Sequence, residues 1–252
     1  MRVAAIQHDI VWEDPAANMA HMRPLIDAAA GDGARLIVIA EMWSTGFTMN
    51  AAEMAEAPDG PTATFMHDMA ESTGAWVAGS FPERTVGYER PTNRLLIAGP
   101  AGEDHRYSKV HPFSFSGEDQ HYDAGRDRQS VVEIEGVRVA PTICFDLRFA
   151  DQYWDVAADT DCYLVPANWP ATRSTHWTSL LRARAIENQA YVVGVNRVGS
   201  GNGLDYSGDT RIVDPMGEIT EATPFVEQTI HADIDPAVVA ETRARFPFML
   251  DR

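Results

Sequence analysis

Short apolar runs alternate along the chain with longer segments of helical periodicity. The first run, Val3 to Asp9, is typical of a buried strand, and Pro15 to Ala30 is typical of a helix that ends at Gly31-Asp-Gly33. Leu36 to Ala40 is apolar at every position, as expected of a strand that is covered on both faces. This alternation predicts a protein of the α/β class.

The same pattern continues to the carboxyl terminus. A hairpin is predicted across Gly136, and Asp146 is predicted to cap a helix over Leu147 to Asp159, after the apolar run that ends at Cys144. The other predicted strands are 76–81, 93–99, 105–109, 162–166, 190–196, 206–213 and 228–234, and the other helices are 62–72, 175–188 and 236–245. Because no linker, repeat or low-complexity segment interrupts the pattern, residues 1–252 are expected to form one domain.

The composition excludes several classes of partner. The chain has 20 Lys and Arg against 37 Asp and Glu, for a net charge of −17, so a basic surface for nucleic acid or anionic lipid is not expected. The apolar runs are too short to span a bilayer, and the first residues do not resemble a secretory signal. With two cysteines only, Cys144 and Cys162, we expect a cytoplasmic protein without a disulfide.

Long loops follow Glu41, Lys109, Cys144 and Pro166; the one after Lys109 is polar and aromatic and extends through Arg128. In an open α/β sheet the ligand crevice lies at the carboxyl ends of the strands, so these four loops are expected to share one rim. At the turn after its strand, the Cys144 thiol would face the positive end of the predicted helix, which favours a reactive thiolate. A lone cysteine is also commonly a small buried apolar residue, so this motif alone decides nothing.

Two further residues in these loops point to chemistry. Glu41 ends an apolar strand, where partial burial would raise its pKa toward the range of a general base; a hydrogen bond to a neighbouring loop is the simpler alternative. Lys109 is the only lysine in the chain, since every other basic residue is Arg. Lysine is a compact charge that its surroundings can tune, so a single lysine suggests a position where arginine would not serve.

Together these segments resemble the nitrilase superfamily of carbon–nitrogen hydrolases. The resemblance rests on Glu41 after a buried strand, on Lys109 in Lys-Val-His-Pro-Phe with Glu118 a few residues later, and on Cys144 in Cys-Phe-Asp-Leu-Arg-Phe. It extends over essentially the whole chain. The segments 41–49, 117–122, 167–170, 182–189 and 194–199 further resemble the omega-amidase branch of that superfamily.

The resemblance implies a Glu-Lys-Cys triad. Cys144 would attack an amide carbonyl, and Glu41 would take the thiol proton, pass it to the departing ammonia and then activate water. Lys109 would favour the thiolate and, with the backbone N–H of Phe145, would stabilise the oxyanion. Glu118 would orient Lys109 and the substrate amide. The implied reaction converts the omega-amide of a small dicarboxylate, such as α-ketoglutaramate or succinamate, to carboxylate and ammonia.

The resemblance also implies a four-layer αββα sandwich and a homodimer that pairs through the helices beside Cys144. The tail 245–250 is expected to help cover that interface. No cofactor or metal is needed for this chemistry. For the substrate, Arg173 is the candidate partner of the far carboxylate, and Phe47 and Trp169, with Phe113 and Tyr206, are candidates for an apolar wall. Arg148 is expected to be structural and paired with an acidic neighbour.

Other interpretations remain open at this point. Within the superfamily, the substrate could be an N-carbamoyl amine, an aliphatic amide or, less in keeping with the motifs, a nitrile. A Cys-His hydrolase would use His111 or His121, and a metal site would use Glu118 with the same histidines, but the spacing lacks a metal-ligand pattern. A small-molecule-binding module on the same fold would have no reason to keep Glu41, Lys109 and Cys144 together.

Overall fold

The computed structural model describes residues 1–126 and 130–251; the end of the predicted loop, including Arg128, lies outside these ranges. In chain order the strands are β1 (Arg2–Gln7), β2 (Leu36–Val38), β3 (Trp76–Glu83), β4 (Thr92–Ala98), β5 (Asp104–Ser108), β6 (Val132–Ile134), β7 (Val137–Pro141), β8 (Cys162–Ala167), β9 (Tyr191–Asn196), β10 (Val198–Gly201), β11 (Leu204–Ser207), β12 (Arg211–Val213), β13 (Ile219–Glu221) and β14 (Gln228–Asp233). The α-helices are α1 (Pro15–Gly31), α2 (Ala51–Met54), α3 (Pro61–Thr73), α4 (Glu118–His121), α5 (Ala150–Asp155), α6 (Ser174–Asn188) and α7 (Pro236–Arg245), and 3₁₀ turns cover Ser114–Ser116, Cys144–Arg148, Ala157–Asp159, Ala171–Arg173 and Phe248–Asp251.

The strands form two mixed six-stranded sheets and a separate hairpin. The first sheet has the order β14-β1-β2-β3-β4-β5 and the second the order β13-β12-β9-β8-β7-β6. In each sheet the central strands are parallel: β1 pairs with β2 and β2 with β3, while β7 pairs with β8 and β8 with β9. Strands β10 and β11 pair only with each other, as a hairpin between the second sheet's β9 and β12.

Alternation of side chains along the strands builds the layers. On β1, Val3 and Ala5 belong to an apolar core that also contains residues of the second sheet, such as Val139 and Leu164. Ala4 and Ile6 face the other way, into a core with residues of helices α1 and α3. Helix α6 packs on the outer side of the second sheet, against β9 and β12. The result is the predicted αββα sandwich.

Close packing of α6 on the second sheet requires a residue without a side chain. A Cβ atom on Gly194, in the middle of β9, would lie 2.5 Å from a methyl carbon of Leu181 on α6. Deeply apolar strands such as β8 and β9, buried at every position, are what this double coverage requires.

Two predicted elements are wrong. The strand predicted over 206–213 is two strands, because Gly208 and Asp209 both have positive φ, 76° and 58°, and break the extended chain between β11 and β12. The helix predicted over Leu147 to Asp159 is a 3₁₀ turn, a short helix α5 and a second 3₁₀ turn. The cause of this second difference lies in the turn that carries Cys144.

Candidate active site

Cys144 lies in a strained turn directly after a buried strand. Its φ is 45°, in the left-handed region that non-glycine residues rarely adopt, and such a residue typically costs about 1–3 kcal/mol. The residue is 8% exposed, so the thiol is close to a solvent-reachable surface while most of it is covered. A strained conformation of this kind persists only where its surroundings hold it.

Asp146 holds this turn. Its carboxylate accepts hydrogen bonds from the Ile143 N–H at 3.0 Å and the Tyr107 hydroxyl at 2.7 Å on one oxygen. The other oxygen accepts from the His111 N–H, at 2.9 Å, and lies 2.9 Å from His111 Nδ1. Asp146 therefore does not cap a long helix, as the sequence suggested. It bonds backward, to the residue before Cys144, and ties the turn to the end of β5.

Glu41, Lys109 and Glu118 form one buried cluster at the ends of β2 and β5 and on α4. Lys109 Nζ lies 2.8 Å from Glu41 Oε1 and 2.8 Å and 3.1 Å from the two oxygens of Glu118. The side chains of all three residues are at most 1% exposed. The Phe113 N–H also donates to Glu118, at 2.5 Å. Two carboxylates thus share one ammonium in a site without water contact.

Two asparagines complete the surroundings of Glu41. Asn93 Nδ2 donates to Glu41 Oε1 at 2.8 Å and to Glu118 Oε1 at 3.2 Å. The Asn168 N–H donates to Glu41 Oε2 at 2.8 Å, and Asn168 Nδ2 donates to the backbone carbonyl of Glu41. The sequence analysis assigned no role to either residue. A weak signal was available for Asn168, which follows the end of a predicted strand and directly precedes the candidate Trp169; Asn93, at the start of the strand predicted over 93–99, gave none.

The charges of the cluster act on one another. Burial lowers the pKa of Lys109, but the carboxylates of Glu118 and Glu41 outweigh this effect and raise it, so the ammonium stays charged. Burial raises the pKa of Glu118, while Lys109 opposes that rise. Burial and the Glu41 carboxylate raise the pKa of the Cys144 thiol well above its usual value, against the pull of Lys109. These surroundings favour the protonated thiol, whereas the sequence analysis expected a helix end and Lys109 to favour the thiolate.

A small pocket opens beside Cys144, with a cavity volume of about 100 Å³. The side chains proposed from the sequence as substrate contacts, Phe47, Trp169 and Arg173, all line it, as do Phe113 and Tyr206. Phe145, expected as an oxyanion donor, lines it too, and residues not anticipated there include Met49, Arg148, Asn168 and, from the β10–β11 hairpin, Asn202 and Leu204. On this measure one water molecule needs about 10–15 Å³, so the cavity has room for a compact molecule of several non-hydrogen atoms beside the thiol.

Arg148 was expected to pair with an acidic residue, and this expectation is wrong. Its guanidinium lies 4.8 Å from the Trp169 ring centre and 5.9 Å from that of Phe145, and it donates to His176 Nδ1 at 3.1 Å. In the part of the chain that the structure describes, neither Arg148 nor Arg173 is in a salt bridge. Burial and the positive charge of Arg173 both lower the pKa of Arg148. The 3₁₀ turn after Cys144 directs Arg148 to the pocket, which spacing alone did not reveal.

Nothing else among residues 1–126 and 130–251 suggests a different kind of site. No cluster of three or more His, Cys, Asp and Glu side chains that could hold a metal ion is present in those ranges. Within the same ranges, no helix has both the length and the apolar character needed to cross a membrane. Cys144 and Cys162 are both free thiols, and both are buried.

A four-layer αββα sandwich with a buried thiol, a lysine and two glutamates at one rim defines a hydrolase of the nitrilase type. The sequence profile of the carbon–nitrogen hydrolase family matches residues 2–244. The chain is 41% identical, over its whole length and 96% of the relative's, to omega-amidase YafV of Escherichia coli K12. It is 34% identical to 2-oxoglutaramate amidase of Paenarthrobacter nicotinovorans, over 90% of this chain and 81% of that one.

A solved structure agrees with these sequence matches. XC1258 of Xanthomonas campestris, a CN-hydrolase superfamily protein with an arsenic adduct in its active site, superposes with a TM-score of 0.94. It is 40% identical, and the match covers 100% of this chain and 97% of that one. This chain belongs to the carbon–nitrogen hydrolase family. The predicted superfamily, fold and enzyme class are confirmed.

Proposed function

We propose that this chain is a single-domain amidase that hydrolyses the omega-amide of a small dicarboxylate, such as succinamate or α-ketoglutaramate. The observation that carries the proposal is the pocket itself, in which one small cavity is lined by the Cys144 thiol and by two arginines that form no salt bridge with any described residue. The relatives support the same substrate class, since one is an omega-amidase and another a 2-oxoglutaramate amidase.

The first half of the reaction forms a thioester. Glu41 takes the proton of the Cys144 thiol, whose pKa is raised by burial and by the Glu41 carboxylate, and Sγ attacks the amide carbonyl carbon. The C–N bond then breaks, and Glu41 returns the proton to the nitrogen, which leaves as ammonia. The backbone of Asn168 and the side chains of Asn93 and Lys109 hold the Glu41 carboxylate in one orientation throughout.

The second half releases the acid. Glu41 takes a proton from water as the water oxygen attacks the thioester carbonyl, the C–S bond breaks, and Glu41 returns that proton to Sγ, which regenerates the thiol. In both halves the oxyanion is stabilised by Lys109 and the backbone N–H of Phe145. The ammonium of Lys109 has three N–H donors. One bonds Glu41, and when a second serves both oxygens of Glu118, the third is available to the substrate.

The arginines select the far end of the substrate. Arg173 was the candidate from the sequence, and the position of Arg148 beside it adds a second cation. Two guanidinium groups close enough for one to lower the pKa of the other are unfavourable together until an anion lies between them. A terminal carboxylate that two or three carbon atoms separate from the amide carbon is such an anion, and Phe47 and Trp169 would cover the apolar part of the substrate.

Ammonia release from a panel of compounds tests the proposal. The panel contains succinamate, α-ketoglutaramate, a neutral aliphatic amide, an N-carbamoyl amino acid and a nitrile, with Cys144→Ala as the blank. We expect turnover of the two omega-amides alone, and a tenfold or greater increase in KM for succinamate in Arg148→Gln and Arg173→Gln, since each removes a charged hydrogen bond worth about 1.5–3 kcal/mol.

Other outcomes would contradict parts of this proposal. Preferred cleavage of the N-carbamoyl compound, the neutral amide or the nitrile would leave the Cys144 chemistry in place and overturn the substrate. Unchanged KM in both arginine variants would overturn the carboxylate site. If Cys144→Ala matches the wild-type rate, Cys144 is not the nucleophile. If no panel compound reacts and none forms a thioester, the protein is a binding module.

We also propose that the enzyme acts as a homodimer in the cytoplasm. Large apolar side chains are exposed on the helices beside the Cys144 turn, namely Trp154 on α5 (48%) and Ile186 on α6 (47%). The tail adds Phe248 and Leu250, which are 64% and 83% exposed. Exposed apolar groups on adjacent elements are typical of an interface. A monomeric mass in solution at micromolar concentration would contradict the dimer.

A further inference from the structure

Asn168 holds Glu41 in place from a position that also faces the pocket. It directly follows β8, is 5% exposed and lines the same cavity as Cys144. Its backbone N–H donates to the Glu41 carboxylate, and its side chain donates to the Glu41 backbone carbonyl. Because a carbonyl oxygen can only accept, the side-chain atom that faces it is the amide nitrogen. The Oδ1 atom of Asn168 is therefore the other terminal atom of the side-chain amide, which does not bond this carbonyl.

That Oδ1 atom is buried and accepts no hydrogen bond from the described residues. A buried acceptor without a partner is unfavourable, and such atoms in native proteins call for an explanation. Asn93 provides a comparison, because it also donates to the Glu41 side chain and also has an unpartnered Oδ1. Asn93, however, does not line the pocket, so only the Oδ1 of Asn168 lies where a substrate could complete it.

We propose that Asn168 Oδ1 accepts a hydrogen bond from the N–H of the substrate's amide, and so selects primary amides over substrates that lack an N–H. The inference rests on the proposed function only in that the substrate is an amide. The nitrogen that Asn168 would bind is the one that Glu41 must protonate, and two hydrogen bonds tie Asn168 to Glu41. The contact would therefore orient the leaving group toward its acid. An ester or a nitrile offers no N–H and would leave Oδ1 unpaired.

Succinamate and monomethyl succinate form a matched pair of substrates for testing this. Both give the same succinyl thioester on Cys144, so they differ only in the leaving group. In Asn168→Ala, and in Asn168→Ser should the first variant fold poorly, we expect kcat/KM for the amide to fall roughly tenfold more than kcat/KM for the ester. In the control Asn93→Ala, which also loosens Glu41, both values should fall by the same factor.

A binding measurement covers the case in which the ester is not turned over. In the Cys144→Ala background, adding Asn168→Ala should weaken succinamate binding by the same roughly tenfold factor and leave monomethyl succinate binding unchanged. Equal losses for amide and ester, in turnover or in binding, would overturn the inference alone. A wild-type enzyme that neither cleaves nor binds succinamate would instead contradict the proposed function, and the inference with it.

Discussion

Two ion clusters, one buried and one partly buried, involve strand ends of the first sheet, and their charge compositions are opposite. In one, Lys109 is shared by the carboxylates of Glu41 and Glu118. In the other, the carboxylate of Glu83 at the end of β3 is shared by Arg106 and, at 3.7 Å, Arg94. On β4 the two clusters meet, because Asn93, which donates to Glu41 and Glu118, directly precedes Arg94.

The cation explains the difference between the two clusters. Arg106 is fully engaged, since it bonds Glu83, both oxygens of Asp104, at 2.7 Å each, and the Pro58 carbonyl. A planar guanidinium group with this many fixed partners stabilises one arrangement and is not free to bond a substrate. Lys109 is a point charge among surplus carboxylates, so its donors can be redistributed when an oxyanion forms. The one lysine of the chain lies in the cluster where the charge has to serve a reaction.

Removing the shared carboxylate of the arginine cluster should have the largest effect. We expect Glu83→Gln to lower the free energy of unfolding by roughly 3 kcal/mol, because two partly buried guanidinium groups lose the carboxylate that they share, although Arg106 keeps its bonds to Asp104. Glu118→Gln should cost less stability, since the lysine cluster keeps one carboxylate per ammonium, but should lose more activity per folded molecule. Urea denaturation of both variants and of the wild type measures the first quantity. Equal destabilisation would contradict the comparison.

Exchanging the two cations is the next test. In Lys109→Arg, kcat/KM for the preferred amide should fall about 10²–10³-fold, the usual loss for one oxyanion donor, since a planar fork cannot take the place of the ammonium. Arg106→Lys is the matched control, for which we expect kcat/KM to stay within a few-fold of the wild-type value. If Lys109→Arg retains a tenth of the activity or more, the special role of the lysine is wrong.

His8 differs from both clusters, because it is a buried titratable group with no opposite charge in contact among the described residues. It is 1% exposed, its Nδ1 lies 2.8 Å from the Asp9 carbonyl and its Nε2 lies 3.4 Å from the Ala40 nitrogen. Burial lowers the pKa of His8 from 6.5 to about 4, so the folded protein keeps the ring neutral. The unfolded chain then binds more protons between these pH values, and stability is lost as pH falls through that window, by roughly 3 kcal/mol in total.

The variant His8→Asn isolates this effect. Asparagine retains a donor for the Asp9 carbonyl but does not titrate, so the variant should lose less stability than the wild type between pH 6.5 and pH 4. The free energy of unfolding at several pH values measures the difference. Parallel pH dependence in the two proteins would show that His8 is not the titrating group.

Much of the fold could be predicted because its strands are covered on both faces. Continuous apolar runs predicted β2, β8 and β9 within one or two residues, and the helix predicted over 236–245 matches the range of α7, Pro236–Arg245. The break between β11 and β12 was missed because positive φ at Asp209 depends on tertiary contacts, including a Trp177 indole that donates to its carbonyl. Local propensity does not encode such contacts.

The residues of the candidate site likewise fall into those that the sequence predicted and those that it did not. Glu41, Lys109, Glu118 and Cys144 stood out because each is an unusual residue type at a strand end or in a recognisable motif. Arg148 and Asn168 did not, since their positions depend on side-chain directions. A 3₁₀ turn instead of a helix directs Arg148 to the pocket, and the pairing of Asn168 with Glu41 joins residues 127 positions apart. The sequence could identify the candidate reacting groups and several residues that line the pocket, but not the two asparagines beside Glu41 or the position of Arg148.

The mass of an acid-quenched reaction is the most direct test of the central claim. Wild-type enzyme mixed with succinamate and quenched within the first turnovers should carry one succinyl group, and fragmentation should locate it on Cys144. Cys162→Ala should carry the same adduct, and Cys144→Ala should carry none. A succinyl group on Cys162, or ammonia released with no adduct in enzyme quenched across the whole first turnover, would contradict a thioester on Cys144 as the path of the reaction.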